Sequence, residues 1–85
     1  MTNKEQYQLA AKLLQMDIKE IESYGGTIDD ISAIYVSIPE KGGVSLIVGS
    51  DGSVLYADSS VGYSRHVEAF KNGTRTPIDA FEANE

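Results

Sequence analysis

The sequence predicts an α+β domain with a long N-terminal helix, a three-stranded antiparallel β-meander at about residues 31–38, 43–49 and 53–58, a short C-terminal helix and a last helical turn. Three observations predict it. Apolar residues recur at helical spacing from Tyr7 to Ile21. The period then changes to two between Ile31 and Ile38. Two turn signals, Glu40-Lys41-Gly42 and Asp51-Gly52, cut the next stretch into hairpins.

The helix has a readable start. Thr2-Asn3-Lys4-Glu5 has the S/T-x-x-E form of a capping box. Tyr7, Ala11, Leu14, Ile18 and Ile21 then follow at spacings of 4, 3, 4 and 3, one stripe of a helix. Gly25-Gly26 supplies a left-handed stop, so the helix is expected from about Asn3 to Tyr24. Its apolar surface is wider than the stripe. Ala10, Leu13 and Tyr24 broaden it, and Leu9 and Met16 lie further round, where a second helix or a partner subunit is needed to cover them.

Thr27 to Asp30 reads as a polar connection in which Asp29-Asp30 can cap a stray helical turn. Pro39 ends the first strand, because proline donates no ladder hydrogen bond. The three-residue loop then pairs Ile38 with Val44, Val36 with Leu46 and Ile34 with Val48. A two-residue turn at Asp51-Gly52 pairs Val48 with Leu55 and Leu46 with Ala57. This register puts Ile34, Val36, Ile38, Val44, Leu46, Val48, Leu55 and Ala57 on a core face under the first helix. It sets Tyr35, Ile47 and Tyr56 in one row on the other face, flanked by Ala33, Gly49 and Val54, where a solvated sheet would carry polar residues.

Ser64 is expected to cap the short helix, which runs to about Lys71 and stops at Asn72-Gly73. Thr76-Pro77-Ile78-Asp79 starts the last turn, and Ala83-Asn84-Glu85 is expected to fray.

Composition narrows the function classes. An 85-residue chain without cysteine is one domain held by packing alone. Seven Lys and Arg against thirteen Asp and Glu give a net charge of −6, which argues against nucleic-acid binding and is compatible with a basic partner. No apolar leader follows Met1 and no apolar run has the length of a membrane span, so a cytoplasmic protein without membrane contact is expected.

Candidate chemistry is sparse. His66 with Ser59, Ser60 or Ser64 and Asp58 has the residue types of an acyl-transfer site, but no G-x-S-x-G elbow surrounds any of these serines. An exposed, non-catalytic His66 is the expectation. Lys41-Gly42-Gly43-Val44 lacks the spacing of a phosphate loop, and Ser50-Asp51-Gly52-Ser53 lacks the ligands of a calcium loop. One histidine and no cysteine leave only carboxylates for a transition metal. No catalytic residue, cofactor or metal is therefore assigned. Arg65, His66, Lys71 and Arg75 gather positive charge that can meet an anion or acidic partner, or simply pair with the acidic first helix.

The run LIVGSDGSVLYADSS from Leu46 to Ser60, followed by a helix, resembles the strand–turn–strand–helix core of roadblock-type regulatory modules, which scaffold dimeric complexes. The resemblance implies an associating role. It covers about thirty residues. The chain adds a strand before the hairpin and lacks the strands that follow the second helix in that family, so no functional residue is carried across.

The leading expectation is a non-enzymatic protein-binding module. It acts on a protein partner of basic character or on a second copy, as an acidic bacterial immunity protein, antitoxin or regulatory protein does. Its candidate surface is Tyr35, Ile47, Val54 and Tyr56 on the sheet with Leu9 and Met16 on the helix. The alternative is a small-molecule sensor or weak hydrolase with the Tyr35/Tyr56 face as pocket wall and Arg65, His66 and Arg75 as polar contacts.

Overall fold

The computed structural model describes residues 1–82. Helix α1 (Asn3–Leu14) opens with the expected capping box: the Thr2 hydroxyl accepts from the Glu5 N–H at 3.2 Å, and the Glu5 carboxylate accepts from the Thr2 N–H at 2.9 Å. It does not run on to Tyr24. Gln15 turns left-handed at φ 55°, and Asp17 then caps a second helix, α2 (Ile18–Ser23), by accepting from the Lys19 N–H at 2.8 Å. A straight helix over the whole stretch would be roughly 33 Å long, more than the 29 Å of the longest axis. The bend lets one apolar stripe cover more of the sheet, α1 lying over the second and third strands and α2 over the first and second.

The sheet has four strands, one more than expected. Gly25 and Gly26 do not stop a helix; they begin β1 (Gly25–Ile28), which pairs antiparallel with β2 (Ala33–Ile38). Gly25 is needed there for close approach, since a Cβ at that position would lie 2.4 Å from Tyr7 Cε1. A single 3-10 turn over Asp29–Ile31 joins the two strands and ends at Ser32 with φ 51°. The buried Gln6 amide braces this corner by donating to the carbonyls of Ser32 at 2.9 Å and Val48 at 3.0 Å. Strands β3 (Val44–Val48) and β4 (Val54–Ala57) complete a four-stranded antiparallel sheet in the order β1-β2-β3-β4.

The β2–β3 register is the expected one, with Ile38 opposite Val44, Val36 opposite Leu46 and Ile34 opposite Val48. The β3–β4 register differs by one residue. The Gly49 N–H donates to the Ser53 carbonyl at 2.8 Å, so the loop is Ser50-Asp51-Gly52 and Leu46 faces Tyr56, not Ala57. A two-residue type I′ turn would force Asp51 into the left-handed region. In the longer loop only Gly52 goes there, at φ 84°. The Asp51 carboxylate meanwhile accepts from the Ser53 N–H at 3.0 Å and from its hydroxyl at 2.6 Å. A slip of one exchanges the faces of every β4 side chain.

Both sheet faces are consequently covered. Under α1 and α2, Ala10, Leu14, Ile21, Ile34, Val36, Ile38, Leu46, Val48 and Val54 form one core. On the opposite face Val67 and Phe70 of α3 (Tyr63–Lys71) close over Ile28, Ala33, Ile47 and Leu55. Gly62, not Ser64, sits at the start of α3, and Asn72-Gly73 ends it as expected. The chain then returns along β4: the Thr76 N–H donates to the Val54 carbonyl at 2.8 Å, and its hydroxyl accepts from the Tyr56 N–H at 2.9 Å. Pro77 leads into α4 (Asp79–Glu82), whose Phe81 packs against the first core. The expected fraying at 83–85 lies outside the described residues.

Candidate functional site

The register shift dissolves the expected ridge. Tyr35 and Ile47 share the α3 face with Leu55, whereas Tyr56 projects from the opposite face beside Leu46. Tyr35 and Tyr56 therefore form no common pocket wall. Ile47 and Val54 are core residues, fully or almost fully buried, and supply no surface. Leu9 and Met16 are partly buried against the first core. Their apolar character is thus partly used within the chain, because the break at Gln15 carries α2 round to share the cover.

Tyr35 is half-buried at the rim of α3. Its hydroxyl donates to Ser45 Oγ at 3.0 Å, and its ring meets Tyr63 and His66 edge-on at centroid distances of 4.7 and 5.6 Å. His66 is not the exposed first-turn residue expected from its position. The ring is 1% exposed, with Nε2 at 2.7 Å from the Leu55 carbonyl and Nδ1 without a partner among the described residues. Nε2 therefore carries the proton and donates. Burial lowers the pKa of His66 more than the Leu55 carbonyl raises it. Neither ring nitrogen hydrogen-bonds to Ser59, Ser60 or Ser64, so the pairing that an acyl-transfer site needs is not made.

The four cationic candidates occupy separate settings. Lys71 reaches Asp30 at 2.9 Å and ties the end of α3 to the turn after β1, and this pairing raises the Lys71 pKa and lowers that of Asp30. The pairing is with that turn, not with the acidic first helix. Arg75 lies 3.5 Å over the Phe70 ring and donates to the carbonyls of Phe70 at 2.7 Å and Thr74 at 2.8 Å and to Ser53 Oγ at 2.8 Å. Those bonds fasten the return segment to the β3–β4 loop. Arg65 stays exposed on the outer side of α3, beside Ser64, Glu68 and Asn72. Among the described residues no group of His, Asp and Glu is arranged to hold a metal.

Of the expected surface, Tyr56 remains, on the face of β4 opposite α3. Tyr56 is 40% exposed and meets Phe81 edge-on at 5.9 Å. Together with Thr76 and Ala80 these rings line a groove of about 170 Å³, and Ile78 is 41% exposed on the same return segment. That volume suits one inserted side chain and is well below the roughly 300–1,000 Å³ of small-molecule sites. Ile78 and Phe81 stand three residues apart, the spacing of one edge of a helical turn, but nothing local joins them to Tyr56. Among the described residues no helix is long and apolar enough to cross a membrane. No protein-family model matches the chain, and neither does any curated protein or solved structure.

Proposed function

We propose that the chain is a non-enzymatic protein-association module that receives an apolar side chain of a basic partner in the Tyr56–Phe81 groove. The observation that carries this reading is the exposure of Tyr56 at a groove of side-chain size, with Ile78 exposed on the same return segment, on an otherwise well-covered sheet. The net charge of −6 favours a basic partner. An acidic immunity, antitoxin-like or regulatory protein that caps such a partner is the concrete form of the reading.

The test is the double substitution Tyr56→Ser with Ile78→Ser. Both side chains are already substantially exposed, so the urea midpoint should move by less than about 1 kcal/mol equivalent. Affinity for the partner recovered by quantitative purification from the host should fall by about thirtyfold or more, as for a central contact. Equal recovery of every partner by wild type and variant sinks the proposal.

A further inference from the structure

The two edges of the sheet are finished differently. At β4 the edge is sealed by Thr76, with its N–H on Val54 and its hydroxyl on Tyr56. At β1 nothing equivalent is present among the described residues. The Ser37 N–H donates to the Tyr24 carbonyl at 3.4 Å, which makes Tyr24–Ser37 a hydrogen-bonded pair. Antiparallel alternation then turns the backbone groups of Gly26 and Ile28 toward β2, and those of Gly25 and Thr27 away from the sheet. Edge strands are commonly protected by lysine, proline, a bulge or a covering segment. Gly-Gly-Thr-Ile carries none of these, and a Cβ at Gly26 would meet nothing within 4 Å. Gly26 and Thr27 are exposed, so the middle of the edge is accessible.

The surroundings of this edge are acidic. The Tyr24 hydroxyl, at the entry to β1, donates to the Glu40 carboxylate. Glu40 and Glu20 both hold the Tyr24 phenol above its ordinary pKa. Glu22 does the same to Tyr7, after burial, and the Tyr7 ring lies against Gly25. The ion pair found among the described residues is Lys71–Asp30, so Glu20, Glu22 and Glu40 have no cationic partner there.

We propose that the free edge of β1 docks an extended, lysine- or arginine-bearing segment of a partner protein, which adds as a fifth strand. Its backbone pairs with the outward N–H and C=O groups of Gly25 and Thr27, and its cationic side chains meet Glu20, Glu22 and Glu40. This site is at the opposite edge from the Tyr56 groove and stands whether or not that groove is a contact.

An amide-resolved NMR titration tests it, with a short capped peptide alternating lysine with valine and threonine as the probe. The same peptide with glutamate for lysine is the control. The expected result is a saturable shift centred on Gly25–Ile28, with smaller shifts at Glu20, Glu22 and Glu40, slowed hydrogen exchange at the Thr27 amide, and weakening as salt is raised. Thr27→Pro removes an outward donor without touching the β1–β2 bonds and should weaken binding by about tenfold or more. Glu22→Gln with Glu40→Gln should also weaken it, and this variant together with the Thr27 exchange rate decides the matter if the proline variant does not fold. No saturable shift, shifts spread over the acidic helices without Thr27 protection, or equal binding of the glutamate peptide overturns the proposal. A dimeric light-scattering mass that Thr27→Pro abolishes also overturns it, by making the edge self-complementary.

Discussion

Acidifying the protein from neutral pH should weaken it through His66, and His66→Phe should remove that weakness. The buried ring donates through Nε2 to Leu55 and leaves Nδ1 bare, so a second proton would place a charge and an unmatched donor between α3 and the sheet. The folded-state pKa is accordingly below the ordinary 6.5, through burial first. The unfolded chain binds the proton at its ordinary pKa and the folded chain resists it. Stability is therefore fully present above that pKa and is lost as pH falls from it toward the folded value, by at most about 1.4 kcal/mol per pH unit. Asp30, Asp51 and Asp58 do not blur this window, because hydrogen bonds from Lys71, Ser53 and Ser60 hold them below the ordinary 3.8. Phenylalanine is an aromatic ring without a titrating nitrogen, somewhat larger than imidazole, and gives up one hydrogen bond, while the Leu55 carbonyl keeps its place opposite Ile47 in the β3–β4 ladder. At neutral pH the substitution should cost about 1–3 kcal/mol, and the slope with pH, not the offset, carries the test. The assay is urea denaturation of both proteins at several values between about pH 7.5 and 5. A wild-type stability that is flat across that window, or a His66→Phe variant that keeps the wild-type slope, refutes the reasoning.

Two further substitutions test the core and the helix break. Leu46→Asp puts an unpaired carboxylate at a fully buried position of β3 and should cost more than about 4 kcal/mol, leaving the chain unfolded by circular dichroism. A native-like melt for that variant means that the core face has been misassigned. Gln15→Gly should stabilise by about 0.5–1 kcal/mol, since glycine takes the left-handed conformation that glutamine adopts there at a cost. In an unbroken helix the same change would destabilise by about 1 kcal/mol, so the sign in a thermal or urea melt separates the two arrangements.

The parts of the fold legible in the sequence are those where two independent signals coincide. The loop ending at Gly42 and the alternation of Ile34, Val36 and Ile38 point to the same β2–β3 register, and the strands pair that way. Val54-Leu55-Tyr56-Ala57 is apolar at every position, so its pattern cannot choose between the faces, and the register rested on turn type alone. The Asp51–Ser53 bonds decided it the other way. The break at Gln15 was hidden because the apolar spacing continues through it, although Asp17 is a cap residue in plain view. β1 was hidden for the opposite reason: it opens on two glycines, which are depleted in strands, and its pairing with β2 makes it a strand. Of the candidate surface, Tyr56 was legible as an apolar residue in need of a neighbour. Its neighbours arrive only through the return of the chain to Thr76, twenty positions further on, and no local pattern encodes that contact.

The single threonine that closes β4 also sets a limit on how copies of this chain can aggregate through their backbones. Ribbons of identical subunits grow without end when each subunit offers two open edges, one to give and one to receive. Here one edge is occupied by the molecule's own Thr76, and Pro77 turns the chain away before another strand can follow. Pairing between copies is then left with β1 alone. Two β1 edges joined about a two-fold axis use up both, so backbone pairing between folded copies ends in a closed pair and not in a fibre.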